Sequence, residues 1–254
     1  MTEPSDLSPV PLPKAPRLSK SKFLSGLQCH KRLYFEVYHP FLATKPDAAT
    51  QAMFEMGTEV GELARSRFPG GVLVTAGYRQ TEAALTQTAT LIQDLTVPAI
   101  FEAAFLHGGV LIRADVLQRV PLVEGQPCAW RLIEVKSSTK VKDVHLEDLA
   151  VQSKVILGAG LTLVSVCLMH INTGYLYRDG AIDLTELFAI QDLSEAVAQR
   201  RAEVPGRLAE MTGMLLQPQA PAIEPDRHCH TPYDCPFWEH CTKDKPARWI
   251  HYLP

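Results

Sequence analysis

The sequence predicts an α/β protein with a central mixed sheet flanked by helices, and three observations carry that reading. From Ala99 the apolar residues recur at every second position in runs bounded by turn residues, the pattern of β-strands. Apolar residues recur at helical spacing over Ala48 to Phe68 and again over His145 to Leu157. A further run, Leu161 to Ile171, has the length and composition of a strand buried on both faces.

Taken in order, residues 1–17 form a flexible, proline-rich lead. Leu18 onward reads as a capped amphipathic helix, with Ser19 or Ser21 as N-cap and Phe23, Leu24 and Leu27 on its apolar side. It delivers Cys29 near its end, followed by the basic cluster His30, Lys31 and Arg32, and Pro40 and Pro46 close the unit. The second helix, Ala48 to Phe68, turns Met53, Phe54, Met56, Val60, Leu63 and Ala64 toward the core. Gly57 and Gly61 leave a groove suited to close helix packing. Pro69, Gly70 and Gly71 stop that helix, residues 72–76 form a short strand, and Thr81 to Leu95 a third helix.

Residues 99–109, 110–120 and 130–138 are then three successive antiparallel strands, with turns at Gly108–Gly109 and around Glu124 to Pro127. A helix from His145 to Leu157 is stopped by Gly158 and Gly160. The strand at 161–171 takes residues 174–180 as its short partner. A long helix spans Asp192 to Met214, kinked or split at Pro205. Residues 18–216 make the core, and 217–254 a linker and a cysteine-rich tail too short and polar to build a core alone.

At 254 residues and 28.1 kDa, with 46% hydrophobic and 21% charged residues, the chain buries one substantial core. A net charge of -3 and a pI near 6.3 exclude a surface coated in basic charge, though not a local basic groove. Lys20, Lys22, Lys31, Arg32, Lys140 and Lys142 are candidates for such a groove, solvated surface lysines being the default. No apolar run reaches about 18 residues, so no membrane helix is expected, and the N-terminus lacks the apolar segment of a secretory signal. Six cysteines without such a signal point to a reducing compartment, the cytoplasm, where clustered thiols bind metal more often than they form disulfides.

The chemistry concentrates in Trp130 to Val141. Glu134 and Lys136 lie two residues apart on an apolar strand, so they emerge side by side while Ile133 and Val135 pack the other way. Buried charges survive when paired or bound to a metal, so an ion pair at a sheet edge is one reading. Asp115 supports the other. The hairpin brings this acid of the preceding strand beside Glu134, and two converging carboxylates call for a cation such as Mg²⁺ or Mn²⁺. An ammonium beside such an ion, Lys136, can orient and acidify water for attack on a phosphodiester. Glu102 is either a third carboxylate ligand or a surface glutamate. His107, His145 and His170 read as turn, helix-start and strand-end residues.

Cys229, Cys235 and Cys241 are spaced with five residues between neighbours, and Cys29 stands far upstream. Without a C-x-x-C pair the spacing fits an iron-sulfur cluster better than a zinc ribbon. Zinc held by three cysteines with His30, His228, His230 or His240 is the alternative. Cys167 reads as a small core residue, Cys128 as a turn residue, and Phe237 and Trp238 as packing around the cysteines.

An acid in a strand, a hairpin, E-x-K and a helix bearing a glutamine resemble the RecB-like group of PD-(D/E)XK nucleases. Asp115, Glu134, Lys136 and Gln152 match that order. Ile156 stands where the group's Q-x-x-x-Y has tyrosine, and Gly61 where its G-x-x-x-H has histidine. One N-terminal and three C-terminal cysteines resemble the iron-sulfur staple of CRISPR-associated RecB-like exonucleases and of the AddB nuclease domain. The resemblance implies a restriction-endonuclease-like core whose N- and C-terminal segments are joined by a four-iron four-sulfur cluster on Cys29, Cys229, Cys235 and Cys241. It implies Mg²⁺ or Mn²⁺ on Asp115, Glu134, the Val135 carbonyl and Glu102, with Lys136 positioning water and Gln152 contacting substrate. The implied activity is DNA hydrolysis, exonucleolytic on single-stranded or free-ended DNA, alongside a helicase or other DNA-processing partner. A weakly active or inactive nucleic-acid-binding module of the same fold is the alternative.

Overall fold

The computed structural model describes residues 16–120, 129–246 and 248–249. Strands β1 (Leu18–Ser19), β2 (Val72–Leu73), β3 (Ala99–His107), β4 (Val110–Val120), β5 (Ala129–Lys136), β6 (Thr162–Ile171) and β7 (Phe188–Asp192) form one mixed seven-stranded sheet. Its order is β2-β3-β4-β5-β6-β7, with β1 added beside β4. The β3–β4 hairpin closes on Gly108 and Gly109 at φ of 58° and 78°, the positive values that a tight two-residue turn demands and glycine supplies.

Around the sheet lie α1 (Lys20–Gln28), α2 (His30–Tyr38), α3 (Ala48–Arg65), α4 (Thr81–Gln93), α5 (Asp143–Gly158), α6 (Leu184–Leu187), α7 (Ser194–Arg201), α8 (Val204–Leu215) and α9 (Trp238–Thr242). The larger apolar cluster packs Trp130 and Leu132 of β5 against Leu149 and Ile156 of α5. The alternate β5 residues, Ile133 and Val135, join Cys167, Met169 and Ala64 in a second cluster on the opposite face. That division is the one strand alternation predicts. Among the described residues no helix is long and apolar enough to cross a membrane.

The structure differs from the sequence expectations at several points. Cys29 does not end a single N-terminal helix but separates α1 from α2, capping both in an extended conformation. Met53, Phe54 and Met56 are at least half exposed, because only the last turns of α3 reach the sheet. Among the described residues Gly57 and Gly61 face open space, and no helix packs into the groove they leave. Residues 174–180 form a loop, held by Asn172 accepting from the Gly174 amide and by Tyr177 donating to the Gly180 carbonyl, and the partner of β6 is β7. The C-terminal helix expected from Asp192 begins only at Ser194, Asp192 ending β7, and it is split into α7 and α8 as expected at Pro205, which lies in the first turn of α8, where it has no amide bond to break. The expected turn at Glu124 to Pro127, Cys128 and most of the lead lie outside the described residues.

Candidate active site

One edge of β4 is shared by two strands. β1 pairs in parallel with Val110 and Leu111, and β5 pairs antiparallel from Val116↔Ile133 to Val120↔Ala129. Between these pairings β5 leaves β4, and the next residues at the fork are Asp115 and Glu134. The Val135 amide, deprived of a ladder partner, donates instead to Asp115 Oδ2 at 2.7 Å. A carboxylate is thus fixed in the fork by the backbone whose separation creates it.

The other edge of β4 is irregular at the same point. Phe101 pairs with Val116 and Ala103 with Ala114, but the pair between them, Glu102 and Asp115, lapses. Glu102 has φ of 55°, a conformation that costs a non-glycine residue on the order of 1–3 kcal/mol. Phe101 and Ala103 consequently lie in opposite apolar clusters, as do Val116 and Ala114. The strands exchange faces at Glu102 and Asp115, and strain of this kind collects at functional sites. Glu102 lines the same cavity as Asp115 and lies 3.8 Å from Arg65.

Glu134 is 1% exposed and is the hub of the site. Lys136 Nζ donates to its Oε1 at 2.5 Å and also to Asp148 Oδ2 at 2.8 Å. Gln152 Nε2 donates to Glu134 Oε2 at 2.7 Å and to Asp148 Oδ1 at 2.9 Å. Lys20, the first residue of α1, donates to both Glu134 oxygens at 2.9 and 3.1 Å and lies 3.4 Å from Asp148 Oδ1. Asp148 and Gln152 are four residues apart on α5, so helical geometry presents both to β5.

Three carboxylates therefore surround two ammonium groups, leaving one negative charge in surplus. Burial and the charge of Glu134 push the Asp115 carboxyl up to about 7, against the pull of Lys20 and Lys136. Burial opposes ionisation of Glu134, yet Lys136 and Lys20 overcome it and hold that carboxyl well below the usual range. Both ammonium groups lose hydration on burial, but the surrounding acids outweigh this and raise them above the usual lysine value. His145 is pushed down to about 4 by burial and by Lys136 and Lys142, so it is neutral at physiological pH. It accepts from the Lys142 amide, in keeping with its helix-start assignment.

The structure brings together Asp115, Glu134, Lys136 and Gln152, with Glu102 across the ladder. The Gln152 side chain is fully buried, and its amide donates to Glu134 and Asp148. Its Oε1 is buried without a partner among the described residues. Asp148 escaped sequence reasoning although it had a signal, an acid one helical turn before Gln152 in an apolar helix. Lys20 reads only as a candidate for a basic groove, with nothing in the sequence to join it to Glu134.

The cysteines gather elsewhere. Cys29, Cys229, Cys235 and Cys241 line one small pocket of about 10 Å³ together with Phe237 and Trp238. Burial raises the thiols of Cys229, Cys235 and Cys241, Cys235 to about 11, and the neighbouring sulfurs raise them further. His228 Nε2 lies 3.6 Å from Cys229 Sγ, while His230 is bonded to Asp234 and His240 packs against Phe35. Among the described residues no three His, Cys, Asp or Glu side chains stand ready-made around a metal ion. The chemistry of both donor sets still fits one: four thiols on one pocket, and a carboxylate surplus at the fork.

No protein-family model matches the chain, and no curated protein matches it. A solved structure titled "Crystal structure of SSO0001" is similar over 80% of this chain and 78% of that one, at 15% identity and a TM-score of 0.35.

Proposed function

We propose that this chain is a metal-dependent DNA nuclease with a restriction-endonuclease-like core, hydrolysing phosphodiesters in single-stranded or free-ended DNA during repair or CRISPR-like DNA processing. The observation that carries the reading is the fork, where a backbone-fixed Asp115 meets Glu134 with one carboxylate more than the lysines neutralise. Asp115 and Glu134, with Glu102 and the Val135 carbonyl, would hold Mg²⁺ or Mn²⁺. Bound there, the ion supplies charge for the phosphoryl oxygens and acidifies water. Lys136 holds and orients the attacking water, Gln152 and Asp148 keep Glu134 and Lys136 in place, and Lys20 balances charge from the opposite side.

In this reading Cys29, Cys229, Cys235 and Cys241 hold a four-iron four-sulfur cluster that ties α1 to the C-terminal tail. The four thiols around one pocket support it, and His228 beside Cys229 supports zinc as the second reading. Anaerobically purified protein should be brown and absorb near 400 nm, about where iron-thiolate charge transfer is expected; colourless protein containing zinc favours the second.

Lys136→Ala and Asp115→Ala should each abolish Mg²⁺- or Mn²⁺-dependent cleavage of labelled DNA while circular dichroism stays that of the wild type. Wild-type cleavage by both variants rejects the assignment. The rival is a nucleic-acid-binding module without turnover, favoured by Gly61, which faces open space where the resembled nucleases have histidine. Binding without cleavage by the unaltered protein supports that rival.

A further inference from the structure

Beside the fork lies a cavity of about 240 Å³, open to solvent, whose wall away from Asp115 and Glu102 has no role in the reading above. Its inner wall is Asp115, Glu102 and Lys20, and its outer wall includes Arg113 and Tyr78. Two features of that outer wall are unusual. Tyr78 is 86% exposed, although an aromatic ring gains by being covered. The Arg113 guanidinium lies 5.5 Å from the centre of that ring and donates to the Ala76 carbonyl, yet its Nε is buried without a partner among the described residues. Arg113 precedes Asp115 by two residues on β4, so a cation and the catalytic acid are held on one strand.

Arg113 supplies a positive charge on the outer wall, Ser19, Ser21 and Thr81 supply hydroxyls, and Asp115 and Glu102 the acidic groups of the inner wall, where Lys20 is engaged by Glu134 and Asp148. A phosphodiester reaching Asp115 leaves its neighbouring nucleotide between these groups, with the phosphate toward Arg113 and the base toward Tyr78. We infer that this cavity is the binding site for one unpaired nucleotide flanking the scissile phosphate, its base stacked on Tyr78 and its phosphate held by Arg113. A base inside a duplex has both faces covered by its neighbours, so a site built on Tyr78 selects single strands or frayed ends. The inference rests on the nuclease assignment of Asp115 and Glu134, and it narrows the substrate to DNA with an unstacked base at the point of cleavage.

The test is fluorescence anisotropy of full-length protein with labelled oligothymidylate in EDTA, where no cleavage occurs. Losing one base–aromatic stack weakens binding about five- to a hundredfold, so Tyr78→Ala should bind that much less tightly and Tyr78→Phe like the wild type. Arg113→Gln should lower the salt dependence of binding by about one phosphate contact. Unchanged binding by Tyr78→Ala overturns the inference, as does an equal loss on a blunt duplex of the same length. Tyr78-dependent binding by a wild-type protein that does not cleave with Mg²⁺ or Mn²⁺ upholds the cavity and removes the nuclease; cleaving wild type with indifferent Tyr78→Ala does the reverse.

Discussion

Replacing Lys20 by methionine keeps the apolar stem and removes the ammonium that α1 places against Glu134. In the native site this group donates to both Glu134 oxygens at 2.9 and 3.1 Å and faces Asp148 at 3.4 Å. The Lys20 side chain is 23% exposed and that of Glu134 2%, so little of this attraction is screened by water. Stripping a buried ion of its sole partner costs roughly 3–5 kcal/mol. Glu134 retains Lys136 and Gln152, so the loss falls to that of a charged hydrogen bond, about 1.5–3 kcal/mol. For a domain of this size that lowers Tm by about 3–12 °C. Calorimetry in EDTA reads the change directly. The variant also leaves three carboxylates with one ammonium, so Mn²⁺ should raise its Tm more than it raises that of the wild type, ligand stabilisation growing with affinity. A Tm equal to the wild type's in EDTA, or equal gains from Mn²⁺ in both proteins, refutes the view that Lys20 balances a cation site.

Other outcomes follow from the same geometry. The Asp115 carboxyl is raised from an ordinary 3.8 to about 7 in the folded protein, so between those values the native state binds the extra proton. Metal-free stability should therefore fall as pH rises through that window, and Asp115→Asn should flatten the profile; a slope unchanged by the substitution contradicts the raised value. Cys29→Ser should bleach any absorbance near 400 nm and loosen the joint between α1 and the tail, read as faster proteolysis after Gln28; unaltered absorbance removes Cys29 from the donor set. Gly158→Ala should destabilise by about 1–3 kcal/mol in chemical denaturation, because a Cβ there would lie 2.2 Å from the His107 ring. Full stability would show that the ring moves aside freely.

Much of this site is legible in the sequence. Period-two alternation located β3, β4 and β5, the Gly108–Gly109 turn set their antiparallel order, and from these Asp115 and Glu134 had to approach one another. The i, i+2 rule placed Lys136 beside Glu134. Lys20 was not legible because its partner is 114 residues away and nothing in local periodicity encodes such a contact. Asp148 was missed for a different reason: scanning α5 for its apolar stripe passes over the acid that shares a face with Gln152. The lapse in pairing at Glu102 is likewise invisible in a strand whose pattern is otherwise ordinary. Helical periodicity identified α3 but not what it faces, and its first turns meet solvent. The choice of β7 over residues 174–180 turned on glycine and aspartate chemistry, which favours a loop.

The central claim is that the fork of β4 and β5 hydrolyses DNA with a divalent ion. One measurement tests it most directly: cleavage of labelled single-stranded DNA by anaerobically purified protein with Mg²⁺, Mn²⁺ or EDTA, beside Lys136→Ala. Cleavage by the wild type that needs the ion and disappears in the variant is the predicted result. Cleavage that persists in Lys136→Ala, or wild-type protein of intact fold that leaves the strand uncut with either ion, contradicts it.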